Sequence, residues 1–108
     1  MASTPEKRVK EKVVAILKDE AVYYFFPATH GYGRSGVPDI VCCVNGTFFA
    51  IECKANGGKL TSLQIREIED IQRNNGVAVV VNETNWDMVR GMVRKMKSGS
   101  IIERQSND

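Results

Sequence analysis

No stretch of this 108-residue chain is apolar for long enough to cross a membrane. Its first residues, MASTPEKRVKEKVV, lack the apolar core of a secretory signal. The expected compartment is therefore the cytoplasm. Cysteines number only three, Cys42, Cys43 and Cys53, and all fall inside strand-like runs. An odd count without a spaced framework argues against a disulfide scaffold, and no Cys/His spacing suggests zinc. These thiols are expected to be small buried apolar residues in a reducing cell. There is little charge of one sign: the net charge is +2, too small to identify a partner by itself. Neither internal repeats nor low-complexity blocks appear. The chain length fits one domain (core 4–97, tail 98–108) and allows only a modest core, which favours pairing with a second copy.

What remains reads as an ordinary α/β chain. Thr4 is a plausible N-cap and Pro5 suits a first helical position, so a helix is predicted over residues 5–19, with Val9, Val13, Ile16 and Leu17 as its apolar stripe. At about 100° per residue Glu6 falls at the edge of that stripe, Glu11 points the opposite way, and Glu20 projects near the stripe at the far end. Residues 21–26, AVYYFF, read as an aromatic strand. A loop over 27–36 carries three glycines with His30, Arg34 and Ser35.

Two strands follow, 39–44 and 47–53, joined by Asn45-Gly46, the strongest short-range hairpin signal. Thr61 and Gln64 form a capping box for a second helix, with Ile65, Ile68 and Ile71 as its buried face and Gly76 at its end. The uninterrupted run 77–81, VAVVV, reads as a central strand covered on both faces. A last helix is expected after a Thr84/Asn85 cap, with Trp86, Val89, Met92, Val93 and Met96 turned to the core. The order α-β-β-β-α-β-α implies a mixed α/β sandwich.

The hairpin sets a register. With a two-residue loop, Val44 faces Thr47, Val41 faces Ala50, and Asp39 faces Glu52. Strand alternation puts Glu52 and Lys54 on one side of the sheet. Three charged groups should therefore converge. Two facing carboxylates repel, so the arrangement serves stability poorly. A hard divalent cation, Mg²⁺ or Mn²⁺, removes the penalty, since it takes oxygen ligands and commonly uses one or two carboxylates plus phosphate and water. Lys54 could then orient a water or offset charge developing on a phosphate.

Gly36-Val37-Pro38-Asp39, Glu52-Cys53-Lys54, and Gly57-Gly58-Lys59-Leu60-Thr61 with Gln64 resemble, in this order, the VRR-NUC domain of the PD-(D/E)xK nuclease superfamily. The resemblance runs from about Thr4 to Val81 and is closest to small stand-alone bacterial and phage members. It implies a restriction-endonuclease-like αβββαβ core with a mixed central sheet flanked by helices, here with an extra C-terminal helix. It also implies Asp39 and Glu52 as metal ligands, Lys54 serving the attacking water, Gln64 supporting the site, and a glutamate of the first helix as a further ligand. Glu6 matches that pattern best, with Glu11 and Glu20 as alternatives.

The expected activity is metal-dependent cleavage of branched DNA, four-way (Holliday) junctions above all, by a homodimer. Phage DNA processing, cutting of flaps or linear DNA, and a non-catalytic DNA-binding module are the alternatives. Arg34, Ser35 and Lys59 are candidate DNA-backbone contacts. His30 could act as a base or phosphate donor, although a loop histidine can also be incidental. Cys53, between two site residues, is not expected to act as a nucleophile.

Overall fold

The computed structural model describes residues 4–28 and 31–99. Their order is α1 (Pro5–Asp19), β1 (Tyr23–Phe25), β2 (Ile40–Val44), β3 (Thr47–Cys53), α2 (Ser62–Arg73), β4 (Val77–Val81) and α3 (Met88–Ser98). The four strands form one mixed sheet in the order β1-β2-β3-β4, antiparallel except for the parallel β3–β4 pair. Among the described residues no helix is long and apolar enough to cross a membrane.

Local chemistry accounts for most boundaries. Thr4 accepts a hydrogen bond from the Lys7 amide, and Pro5 opens α1 where a missing N–H costs nothing. Asn45 and Gly46 both adopt positive φ, +51° and +81°, the geometry of the hairpin turn that matches strand twist. The Asn45 side chain donates to the Met96 carbonyl and so ties this turn to α3. The hairpin register is the expected one, with Val44 opposite Thr47, Val41 opposite Ala50 and Ile40 opposite Ile51.

Alternation then divides the sheet. One face carries Ile40, Cys42, Val44, Phe49, Ile51, Cys53, Val77 and Val81, and packs with Val9, Val13, Ile16 and Leu17 of α1 and Val89, Val93 and Met96 of α3 into the core. The opposite face is covered over β4 by α2. Its other half stays open, with Tyr23, Phe25 and Phe48 exposed.

Several expectations need correction. The first strand is Tyr23–Phe25, shorter than 21–26, because Ala21 turns the chain at φ +57° and Val22 dips into the core. Ladder pairing begins at Ile40, with Asp39 just before it. β4 lies at the sheet edge rather than at its centre: helices cover it on both faces, and that cover is what its valine run reflects. Ile65 is exposed, Ile68 and Ile71 are half-buried, and the residue α2 buries is Glu67. Cys43 is exposed, since it falls on the open half of the outer face.

The start of α3 also differs. Asn82 and Asn85 spend their side chains on backbone amides in a preceding turn, and the helix begins later, at Met88 after Asp87. The end of the tail, residues 100–108, lies outside the described residues, as does His30.

Phe49 is fully buried at the centre of β3. Phe49→Ala should lower unfolding free energy by about 3–5 kcal/mol, through reduced burial and the cavity left behind. Urea denaturation measures it.

Candidate active site

Where β2 begins and β3 ends, the hairpin register carries Asp39 and Glu52 one step past the Ile40–Ile51 pair on adjoining strands. In place of a strand bond, Asp39 Oδ2 accepts a hydrogen bond of 2.9 Å from the Cys53 amide. The Asp39 carboxylate is thereby tethered beside Glu52, and its Oδ1 makes no hydrogen bond among the described residues. Lys54 leaves β3 but keeps its amide on the Val81 carbonyl at 2.9 Å, so its side chain starts from a fixed backbone. Lys54 Nζ returns to within 3.6 Å of Glu52 Oε2. The convergence expected of Glu52 and Lys54 is present, with Asp39 beside them.

Glu52 is 3% exposed. A carboxylate is rarely buried this deeply unless it is paired and hydrogen-bonded. Gln64 supplies one bond: its Nε2 donates to Glu52 Oε2 at 3.0 Å. Gln64 forms the expected capping box with Thr61 and also contacts Glu52. Its Oε1 accepts from the Thr61 amide at 2.9 Å, and that bond leaves only the NH₂ end to face Glu52. The cap therefore orients the amide toward the carboxylate. Glu52 Oε1 has no hydrogen-bond partner among the described residues. Burial pushes the Glu52 carboxyl up to about 7; the charge of Asp39 adds to the rise, Lys54 opposes it, and Glu6 adds a further push.

Glu6 lies on the wall of a cavity of about 650 Å³ that also includes Asp39. Glu11 lines the same cavity, and both glutamates are exposed. Glu20 is elsewhere, bound to Arg90 and Arg94 at the far end of α1, which holds its carboxyl below the usual range.

The donor set suits a hard cation. Mg²⁺ or Mn²⁺ needs few protein oxygens and retains water, and the buried, unpartnered Glu52 Oε1 beside Asp39 is such an oxygen. Among the described residues no three His, Cys, Asp or Glu side chains gather into one cluster, so the set is a carboxylate pair rather than a closed cage. Cys53 is buried and its thiol is pushed up to about 12 by burial, so it holds no thiolate for attack.

The loop that delivers Asp39 is gripped by α2. Arg34 Nε donates to both oxygens of Glu67, at 3.0 and 2.8 Å, and its Nη2 reaches Asp70 at 2.8 Å. Pattern reading missed Glu67 because a charged residue at an inward helical position looks like a break in an apolar stripe. Gly36, at φ +78°, lies so close to α2 that a Cβ there would sit 2.8 Å from the Leu63 carbonyl carbon. Ser35 and Lys59 are exposed.

No protein-family model matches the chain, and no curated protein matches it.

Two outcomes follow from this geometry. In the unfolded chain Glu52 should titrate near 4.5, and in the folded protein near 7. Below 4.5 both states hold the proton and burial carries no penalty. As pH rises from there to 7, only the unfolded chain releases it, so stability falls by about 1.4 kcal/mol per unit, to a total loss of about 3 kcal/mol. Glu52→Gln should therefore gain on the wild type by about that amount between pH 4.5 and 8 in metal-free urea titrations. A constant difference would mean that the carboxylate is not desolvated. Gly36→Ala should cost about 2 kcal/mol, from its left-handed backbone and the clash with α2, measured by the same method.

Proposed function

We propose that this chain is a metal-dependent endonuclease that hydrolyses phosphodiester bonds in DNA. Its substrate is branched DNA, four-way junctions above all, and its working unit is a homodimer in the cytoplasm. The observation that carries this reading is the Glu52 carboxylate, buried at a strand end with one oxygen unpartnered and with Asp39, Lys54 and Gln64 around it. Such a group weakens the fold at neutral pH, and a cation would relieve that penalty. The element order α1-β1-β2-β3-α2-β4, with β4 parallel to β3, supports a restriction-endonuclease-like core.

Asp39 and Glu52 would hold Mg²⁺ or Mn²⁺ as a pair, with Glu6, exposed on α1, as the candidate third ligand. The ion, when bound, supplies Lewis-acid polarisation of the scissile phosphate. The remaining work falls to the chain. Gln64 fixes the rotamer of Glu52 through its 3.0 Å bond, and the Cys53 amide does the same for Asp39 at 2.9 Å. Lys54, with a largely enclosed side chain, donates hydrogen bonds that align a water with the phosphorus. Its positive charge offsets negative charge growing on the phosphate oxygens. Water attacks in line, forming the new P–O bond and releasing a proton to solvent, while the P–O bond to the leaving sugar breaks and the departing oxygen takes up a proton from solvent. A two-fold pair would present two such sites, suited to paired nicks in a symmetric junction.

Cleavage of labelled four-way, flap and linear duplex DNA, with and without Mn²⁺, tests the proposal. The wild type should cut the four-way junction fastest and only with metal. Lys54→Ala and Asp39→Asn should each slow it by at least about 10²-fold. Preference for linear duplex would remove the junction assignment. Full activity in both variants would remove the catalytic one.

A further inference from the structure

The basic side chain on the loop leading into Asp39 is already engaged. Arg34 spends its guanidinium on Glu67 and Asp70. The lysines of α1 are placed differently. Lys7, Lys10 and Lys18 line the cavity of about 650 Å³ whose wall includes Asp39, and none of the three forms a salt bridge among the described residues. Helical phase puts Lys7 and Lys18 within about 20° of each other on one flank, with Lys10 turned toward the sheet. There the Lys10 ammonium lies 4.2 Å from the centroid of the Phe26 ring, which is 46% exposed.

From this placement we infer that the cavity is a track for the sugar–phosphate backbone of the DNA strand being cut, with Lys7, Lys10 and Lys18 facing its phosphates and Phe26 offering a stacking surface. The inference rests on the nuclease reading. Continuity supports it, since Asp39 belongs both to the cavity wall and to the carboxylate pair. Span supports it too: Lys7 to Lys18 covers about 16 Å of helix, close to the axial rise of five nucleotides at about 3.4 Å each. Acidic groups lie in the same cavity. Asp39 belongs to the carboxylate pair assigned to the cation, and Glu6 and Glu11 are exposed on α1. The lysine heads must therefore reach phosphates individually, as backbone contacts without sequence preference do. Lysine beside an exposed aromatic is also the pairing that nonspecific strand binding uses.

Fluorescence anisotropy in EDTA, which leaves the DNA uncut, tests this with labelled four-way junction and single-stranded probes over a range of KCl. For the junction, replacing all three lysines by alanine should make the slope of log K against log salt less negative by as much as about 2.7, at about 0.9 for each phosphate no longer neutralised. The triple arginine variant should keep the wild-type slope. Lys12→Ala, on the other flank beside Trp86, should leave it unchanged. Phe26→Ala should weaken binding to the single strand by roughly tenfold without altering its slope. Circular dichroism checks that each variant folds; alanine favours the helix. If the wild type binds and the triple alanine variant keeps its slope, the track is overturned while the nuclease reading stands. If the wild type binds neither probe, the nuclease reading falls and takes the track with it.

Discussion

A carboxylate enclosed at the end of a central strand is the constraint around which this molecule is arranged. Glu52 belongs to the face of β3 opposite the apolar core, and α2 closes over it. Burying that charge opposes folding, and the neighbouring Asp39 and Glu6 make it worse. Lys54 offsets only part of the cost. A chain selected for stability alone would place an apolar residue at position 52, which would pack under α2 without needing Gln64. Keeping the charge there, with one oxygen left over, is intelligible if that oxygen has a use.

The second helix acts less as a layer of core than as a jig. Within its first two turns Leu63 meets Gly36, Gln64 meets Glu52, and Glu67 holds Arg34. Two of these contacts fix the loop that leads into Asp39; the third fixes the other carboxylate. One rigid element thus sets the positions of two acids that come from different strands. That explains why Gln64 and Glu67 face inward over the first two turns of α2 while Ile65 turns to solvent. It also gives Gly36 a reason to be glycine, since both its φ and its distance from α2 leave no room for a Cβ.

The sequence was most informative where local rules fix geometry. Asn45-Gly46 determined a two-residue turn, and the turn determined the register of β2 and β3, so the meeting of Glu52 with Lys54 and the nearness of Asp39 were legible. The helix starts at Pro5 and Ser62 followed from side-chain caps for the same reason. Less legible was anything decided by tertiary partners. The valines of β4 showed that both faces are covered, but strand order is a property of the whole sheet. Glu67 looked like an interruption because its partner lies 33 residues away. Asn82 and Asn85 could cap a helix or bond their own turn, and the sequence does not choose between these uses.

The same distinction governs charge. Counting Lys and Arg beside a motif treats each as available, and by that count Arg34 was a natural phosphate contact. Its Nε–H and Nη2 instead meet two carboxylates on α2, whose negative charge offsets that of the guanidinium. Lys7, Lys10 and Lys18 lie on α1 outside every motif of the sequence. What distinguishes them is the absence of ion pairs among the described residues and a cavity shared with Asp39, and both depend on how α1 lies against the end of the sheet. A net charge of +2 conceals this division. Arg34 is spent on holding the loop, while Lys7, Lys10 and Lys18 remain available to solvent and to a polyanion, so the electrostatic footprint of the protein is set by which charges the fold has already neutralised rather than by how many it carries.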